Sequence, residues 1–539
     1  MNWNNIPFFQ FGPASPTSEA PPLGIISGLL LFDSGEAENT FLFRCQDRYL
    51  TYNALCGMQT VLFVTGRQHK DNYLELLDGH ARKLDIIAHA MHLELPRVSR
   101  PFFVPLDPES LEIDEESITD DWLQENGLAA TPRRAIIFNQ VSPTCLRLAR
   151  QLESVLRRHH RALEMDMRRA AQVSDLALKF HNKAEYVSLV ESAPACDLPP
   201  HARTAVLELP EFFNLSCWEE LIERVSNSSN HAHPEAYYVK SSFDSGGNVA
   251  RRFSRTEFDE NMFSLRSELL GSIDRSEDAQ ERDSRMRELK VEISRTPSLN
   301  GVPWTDDVLS SFTCSQATKR KNIKLLVQEA VENHGRSRNF HGIGFTCFID
   351  HDGSPGQMIA AGQLYRDPDR RHFLGSYLAP DETQMLEQQM DDPLRNLCKL
   401  FAQQGYRGPL NFDAVEGQDG RFVFVFDCNP RLTAVYPALA VRTFLQSLGI
   451  PVSTIISTGY RGELIYSDIQ RTLRRLDDIG LLFRPDRGRG VLLLPNAYRT
   501  NGFDALLVNM QRAEMSQILA SGALHQSAEP CSSSASEVY

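Results

Sequence analysis

The sequence predicts a multidomain α/β protein, and three observations carry that reading. At 539 residues the chain is long enough for about three or four domains with sizeable cores. From Thr60 to Arg158, strand-like apolar runs alternate with helical periodicity. Further on, the stretch Gly405 to Tyr436 reads as a β-hairpin whose strands carry charged and amide side chains that an ordinary core strand would exclude.

Residues 1–20, rich in Pro, Ser and Asn, are expected to form a flexible arm. Residues 21–173 then read as an α/β unit. Strands are expected at Phe41–Phe43, Thr60–Val64, Phe102–Val104 and Ala135–Phe138, and helices at Tyr73–His92 and Thr144–Arg158. Residues 159–175 read as a charged helical connector, and Leu176–Ala193 as one amphipathic helix that stops before the turn Cys196–Pro200.

Ala236–Ser242 is strand-like and carries a lone lysine, Lys240. The polar loop that follows includes Ser245, Gly246 and Gly247, whose backbone N–H groups can turn inward as an anion nest. A plain hairpin turn is the alternative. It is not a P-loop, since Val249–Phe253 reads as a strand rather than a helix.

Residues 256–320 are heavily charged and helical in propensity, which suggests a surface insertion, either a lid or docking element or a solvated helix. Lys324–Glu332 reads as a short apolar strand, Gly342–Ile349 and Met358–Tyr365 as antiparallel strands, and Glu382–Gln404 as a helix. Beyond residue 446 a small C-terminal α/β unit is expected to residue 522, with helices at Ile469–Ile479 and Phe503–Leu519 around a strand at Gly490–Leu494. Residues 523–539 have the composition of a disordered tail.

The hairpin holds the chemistry. Its first strand contributes Asp413 and its second ends in Asp427, Asn429 and Arg431. Asp427 and Asn429 are two apart on an extended segment and share a face. Two carboxylates and an amide oxygen suit magnesium, a hard ion that takes oxygen ligands. Arg431 offers a planar fork for a phosphate or carboxylate. A hairpin whose Asp and Asn only cap turns is the alternative.

This segment resembles the metal-binding hairpin of the ATP-grasp superfamily, an Asp on one strand and Glu-x-Asn-x-Arg on the next. The chain departs from that pattern at one position, Asp427 in place of the commoner Glu. The resemblance implies a pre-ATP-grasp α/β domain (21–173), a two-lobed ATP-grasp domain (174–445) with the 256–320 insertion, and a C-terminal unit loosely like that of the pheganomycin-type peptide ligases. It also implies ATP and Mg2+ as cofactors. Lys183 and Lys240 would reach the phosphates, with Ser245, Gly246 and Gly247 cradling them. Gln328, Glu329, Ala330, Val331 and Glu332 would form the adenine hinge, with Glu329 or Glu332 taking the ribose hydroxyls. Asp413, Asp427 and Asn429 would hold one or two metal ions, and Arg431 with Lys240 would act in catalysis. An exposed helix lysine is the alternative for Lys183.

The implied reaction is carboxylate–amine ligation through an acyl phosphate, on small-molecule carboxylates and amines such as amino acids or peptides. A phosphotransferase on the same fold and a non-catalytic nucleotide-binding protein are the competing readings.

Composition narrows the classes. A net charge of −14 and a pI near 5.6 argue against nucleic acid as a partner. The ten cysteines show no CxxC spacing and read as reduced thiols of a cytoplasmic protein. No secretory signal is evident, and Gly24–Phe32 is too short to span a bilayer, so no membrane association is expected. A homo-oligomer stays open. The His231/His233 pair lacks a third ligand in sequence reach, and His159–His160 reads as a solvated pair in the basic connector.

Overall fold

The computed structural model describes residues 9–10, 23–25, 50–97, 100–107, 110, 112–128, 133–138, 141, 143–193, 198–208, 218–225, 236–242, 251–254, 324–331, 342–365, 373–417, 421–433, 435–458, 469–495, 503–511 and 514. The expected strand at Phe41–Phe43, the loop with Ser245, Gly246 and Gly247, Glu332, the 256–320 insertion and the terminal tail lie outside them.

The N-terminal part runs β1 (Phe9–Gln10), β2 (Leu23–Ile25), α1 (Leu50–Leu55), β3 (Gln59–Thr65), α2 (Gly66–Met91), β4 (Phe102–Leu106), α3 (Asp120–Glu125), β5 (Arg133–Phe138), α4 (Pro143–Arg158) and β6 (Ala162–Glu164). Its sheet has the order β1-β5-β2-β3-β4, with β6 also on β5. All pairings are parallel except β1 with β5. Parallel strands are covered on their faces and so are apolar throughout, as Ala135 to Phe138 are. In α4, Cys145, Leu148, Ala149, Leu152, Val155 and Leu156 recur at helical spacing and are all buried.

Here the structure departs from the single-helix expectation. Residues 162–164 pair with β5, and two helices follow, α5 (Met167–His181) and α6 (Lys183–Glu191). The break is Asn182. It is extended (φ −71°, ψ 108°), and its side-chain oxygen accepts from Ala184 N at 3.0 Å, so an amide that competes for backbone donors ends one helix and caps the next.

The rest of the chain comprises β7 (Thr204–Glu208), α7 (Trp218–Val225), β8 (Ala236–Ser241), β9 (Arg251–Ser254), β10 (Lys324–Glu329), β11 (Gly342–Ile349), β12 (Pro355–Tyr365), β13 (Phe373–Leu378), α8 (Pro380–Gln403), β14 (Gly408–Glu416), β15 (Phe422–Asn429), α9 (Tyr436–Ser447), β16 (Ile455–Thr458), α10 (Ile469–Asp478), β17 (Gly490–Pro495) and β18 (Phe503–Val508). Four of the strands form an antiparallel sheet of order β7-β10-β8-β9. The larger antiparallel sheet has eight, in the order β15-β14-β11-β12-β13-β16-β18-β17. The described residues therefore form a mixed α/β structure built on three sheets.

Phe503–Val508 is a strand rather than the start of the expected helix. A six-residue, mostly apolar run has no decisive period, and pairing on both edges, with β16 and β17, settles it as sheet.

The hairpin β14–β15 forms as the alternation predicts. Along β15, Phe422, Phe424, Phe426 and Cys428 are buried, while Val423, Val425, Asp427 and Asn429 are partly exposed on the opposite face. The buried face packs on Phe345, Tyr186 and His201. Each fully buried phenylalanine contributes about 1.5–3 kcal/mol. That apolar anchoring leaves the polar face of the same strands free for chemistry.

Candidate functional site

Strand register gathers the site onto one face of the eight-stranded sheet. Asp413 of β14 pairs with Gly344 of β11, Asn411 with Thr346, and Asn411 with Asn429 of β15 on its other side. Between Phe412↔Cys428 and Ala414↔Phe424 the β14–β15 register shifts, a bulge that re-aims the second strand at Asp427.

Asp413 is the electrostatic centre. Its Oδ1 accepts from Gln363 Nε2 at 2.7 Å and from Asn411 Nδ2 at 2.9 Å. Burial pushes its carboxyl up to about 7, and repulsion from Asp427 adds to the rise, while the two amides and Lys240 act in the opposite direction. Asn429 Nδ2 lies 3.5 Å from Asp427 Oδ1, and Arg431 Nη2 donates to Asn429 Oδ1 at 3.2 Å. Asp427, Asn429 and Arg431 thus form one polar string, and Asp413 lies near enough to feel the Asp427 charge.

Lys183 joins it from a distant segment. As the first residue of α6 it is fixed by the Asn182 cap and by its backbone N, which donates to Ser242 O at 2.7 Å just beyond β8. Its ammonium lies 3.8 Å from Asp427 Oδ2, with the lysine side chain only 3 % exposed. Lys183 is therefore buried beside the hairpin carboxylates, and the exposed-lysine alternative does not hold.

Lys240 is also buried, and its Nζ donates to Gln328 Oε1 at 2.7 Å. Gln328 in turn donates Nε2 to Thr204 Oγ1 at 3.0 Å, so the β8 lysine is held by a chain that runs across β10 to β7. Glu329 is turned to a structural partner, since its carboxylate accepts from Arg203 N at 2.8 Å and from Arg203 Nε at 2.6 Å. Ala330 N donates to Ala236 O, and Val331 is partly exposed at the strand end.

Sequence reasoning missed Gln363, Asn411, Thr346 and Gly344. Asn411 was detectable, being two residues before Asp413 and so on the same strand face. Nothing local marks Gln363.

The donor set can be tested against magnesium. Among the described residues no group of three or more His, Cys, Asp or Glu side chains could hold a metal. The hairpin instead offers two carboxylates and one amide oxygen, all hard donors, a set that would suit magnesium rather than a thiophilic ion. Nearby thiols face away into the core. A hydrogen bond with Cys398, and then burial, raise the Cys347 thiol well above its ordinary range, and burial does the same for Cys428, so both stay protonated. Behind β15, burial depresses His201 to about 4, and its ring stacks on Phe426 at 4.7 Å. Neutral His201 serves as packing.

No family model and no curated protein matches the chain. Solved structures similar to it include an ADP complex of N5-carboxyaminoimidazole ribonucleotide synthetase (11% identity, 94% of this chain and 98% of that chain covered, TM-score 0.42). Another is a biotin carboxylase–ATP complex from Campylobacter jejuni (10% identity, 94% and 91% covered, TM-score 0.40). D-cycloserine synthetase is a third (13% identity, 71% and 99% covered, TM-score 0.30). At such scores the likeness defines no residue correspondence. Among the described residues no helix is long and apolar enough to cross a membrane.

Proposed function

We propose that this chain is an ATP-dependent ligase of the ATP-grasp type, joining a small-molecule carboxylate to an amine with Mg2+ at the β14–β15 hairpin. The observation that carries the reading is the convergence of Lys183, from a helix start, with Asp413, Asp427, Asn429 and Arg431 of the hairpin. A buried lysine beside two half-buried carboxylates is costly unless charged partners complete the group.

Asp413, Asp427 and Asn429 would hold magnesium, which neutralises phosphate oxygens during phosphoryl transfer. Lys183 and Lys240 supply the remaining positive charge from two different elements, so the triphosphate is gripped on more than one side. Arg431, tethered by Asn429, is placed to stabilise charge developing on the acceptor carboxylate. The reaction we read here is an acyl phosphate attacked by an amine, and it agrees with the lack of a dedicated nucleophile among the described residues of the site. An amino-acid or peptide-like carboxylate is the substrate class to screen first.

A product assay tests the reading. ADP, phosphate and an amide support the ligase. ADP with a phosphorylated acceptor shows a phosphotransferase, and nucleotide binding without turnover shows a binding module.

A further inference from the structure

Strand β11 begins Gly342-Ile343-Gly344, and its two glycines lie on the site face. Gln363 of β12 pairs with Gly342 on one side of β11, and Asp413 of β14 pairs with Gly344 on the other. A Cβ on Gly342 would lie 2.9 Å from Gln363 Oε1, and one on Gly344 would lie 3.5 Å from Gln363 Nε2 and 3.6 Å from Asp413 Oδ1. The glycines open a slot through which Gln363 reaches over a whole strand to donate Nε2 to Asp413 Oδ1 at 2.7 Å.

On the other flank Asn411 Nδ2 donates to the same oxygen at 2.9 Å, and Thr346 Oγ1 donates to Asn411 Oδ1 at 3.1 Å, which fixes the amide's orientation. A carboxylate oxygen has about two lone-pair sites. Both sites on Oδ1 are filled, and Oδ2 alone remains for a cation.

We infer that Gln363 is a positioning residue that, together with Asn411, holds Asp413 as a one-oxygen ligand and so selects Mg2+ over Ca2+. The inference rests on the functional reading above. Magnesium demands a compact octahedron, whereas calcium accepts six to eight oxygens and bidentate carboxylates. Freeing Oδ1 would let Asp413 chelate through both oxygens and would favour the larger ion. Partners that orient a metal ligand typically change metal affinity by about 10–100-fold when lost.

The test is calorimetric titration of the full chain with ADP plus Mg2+ or Ca2+. Gln363→Leu is expected to weaken the Mg2+-dependent binding about 10–100-fold while Ca2+-dependent binding holds or tightens. Gly344→Ala, which presses a methyl into the slot 3.0 Å from Asn411 Oδ1, should shift the Mg2+/Ca2+ ratio the same way without removing a polar group. Circular dichroism and melting curves verify folding, and if Gln363→Leu does not fold, Gly344→Ala decides alone. An unchanged ratio, or equal loss for both ions, overturns the inference while the functional reading stands. Absence of metal-dependent ADP binding in the unsubstituted protein overturns both.

Discussion

The ammonium of Lys183 lies 3.8 Å from Asp427 Oδ2. In that pair a helix-start cation neutralises a hairpin carboxylate that a metal would otherwise claim. Replacing the lysine should therefore have opposite effects on two ligands. Lys183→Met is expected to weaken ATP binding about tenfold through loss of a phosphate contact, and to tighten Mg2+ binding without nucleotide, because Asp427 loses a competing cation. Calorimetry with each ligand separately checks both signs.

Asp427→Asn and Arg431→Ala should fail differently. Asp427→Asn removes one of three proposed metal ligands, so ATP cleavage falls sharply while metal-independent nucleotide binding persists. Arg431→Ala should lower turnover by about a hundredfold, on the order of 3 kcal/mol, with little change in ATP affinity. Phosphate release and calorimetry separate the two. Near-normal turnover in Arg431→Ala would show that the arginine only orders Asn429.

Metal binding should depend on pH through Asp413. The carboxyl must lose its proton to bind a cation, and burial holds it up to about 7. Mg2+ affinity should rise about tenfold per unit between roughly pH 5 and 7 and level off above, with close to one proton released per ion near pH 6. Titrations in buffers of different ionisation enthalpy measure that proton. The sign for stability without metal is the reverse. The folded state keeps the proton to about 7, whereas an ordinary aspartate loses it near 3.8. The Asp413 contribution is therefore full below the unfolded value and lost as pH rises through 7.

Glu329 should behave as a structural residue. Its carboxylate is held by Arg203 through backbone and side chain. Charge-assisted hydrogen bonds of this kind contribute about 1.5–3 kcal/mol. Glu329→Gln is expected to lower the melting temperature by several degrees, with ATP affinity changed less than twofold. A large affinity loss with an unchanged melting point would return Glu329 to the ribose site.

Local sequence determined the hairpin. The apolar run Phe422–Phe426 reads as a strand, and the two-residue spacing of Asp427 and Asn429 puts both on one face, because a strand has period two. Strands β3, β4 and β5 and helix α4 were legible from their apolar runs and spacing, whereas β2 and β6 were not. Lys240 was likewise legible as a lone cation in an apolar run.

Tertiary structure decided what each polar group meets. Gln363 reaches Asp413 only because β12 and β14 flank a glycine-bearing β11, an order no local pattern encodes. Arg203 claims Glu329 from 126 residues away. Lys183 is buried because the Asn182 cap and Ser242 dock the start of α6 beside the hairpin. Phe503–Val508, whose short apolar run suits either a helix or a strand, became sheet because two neighbouring edges satisfied its backbone. Side-chain periodicity is set by neighbours along the chain and can be read there, whereas partners are set by strand order and docking, which exist only once the chain has folded.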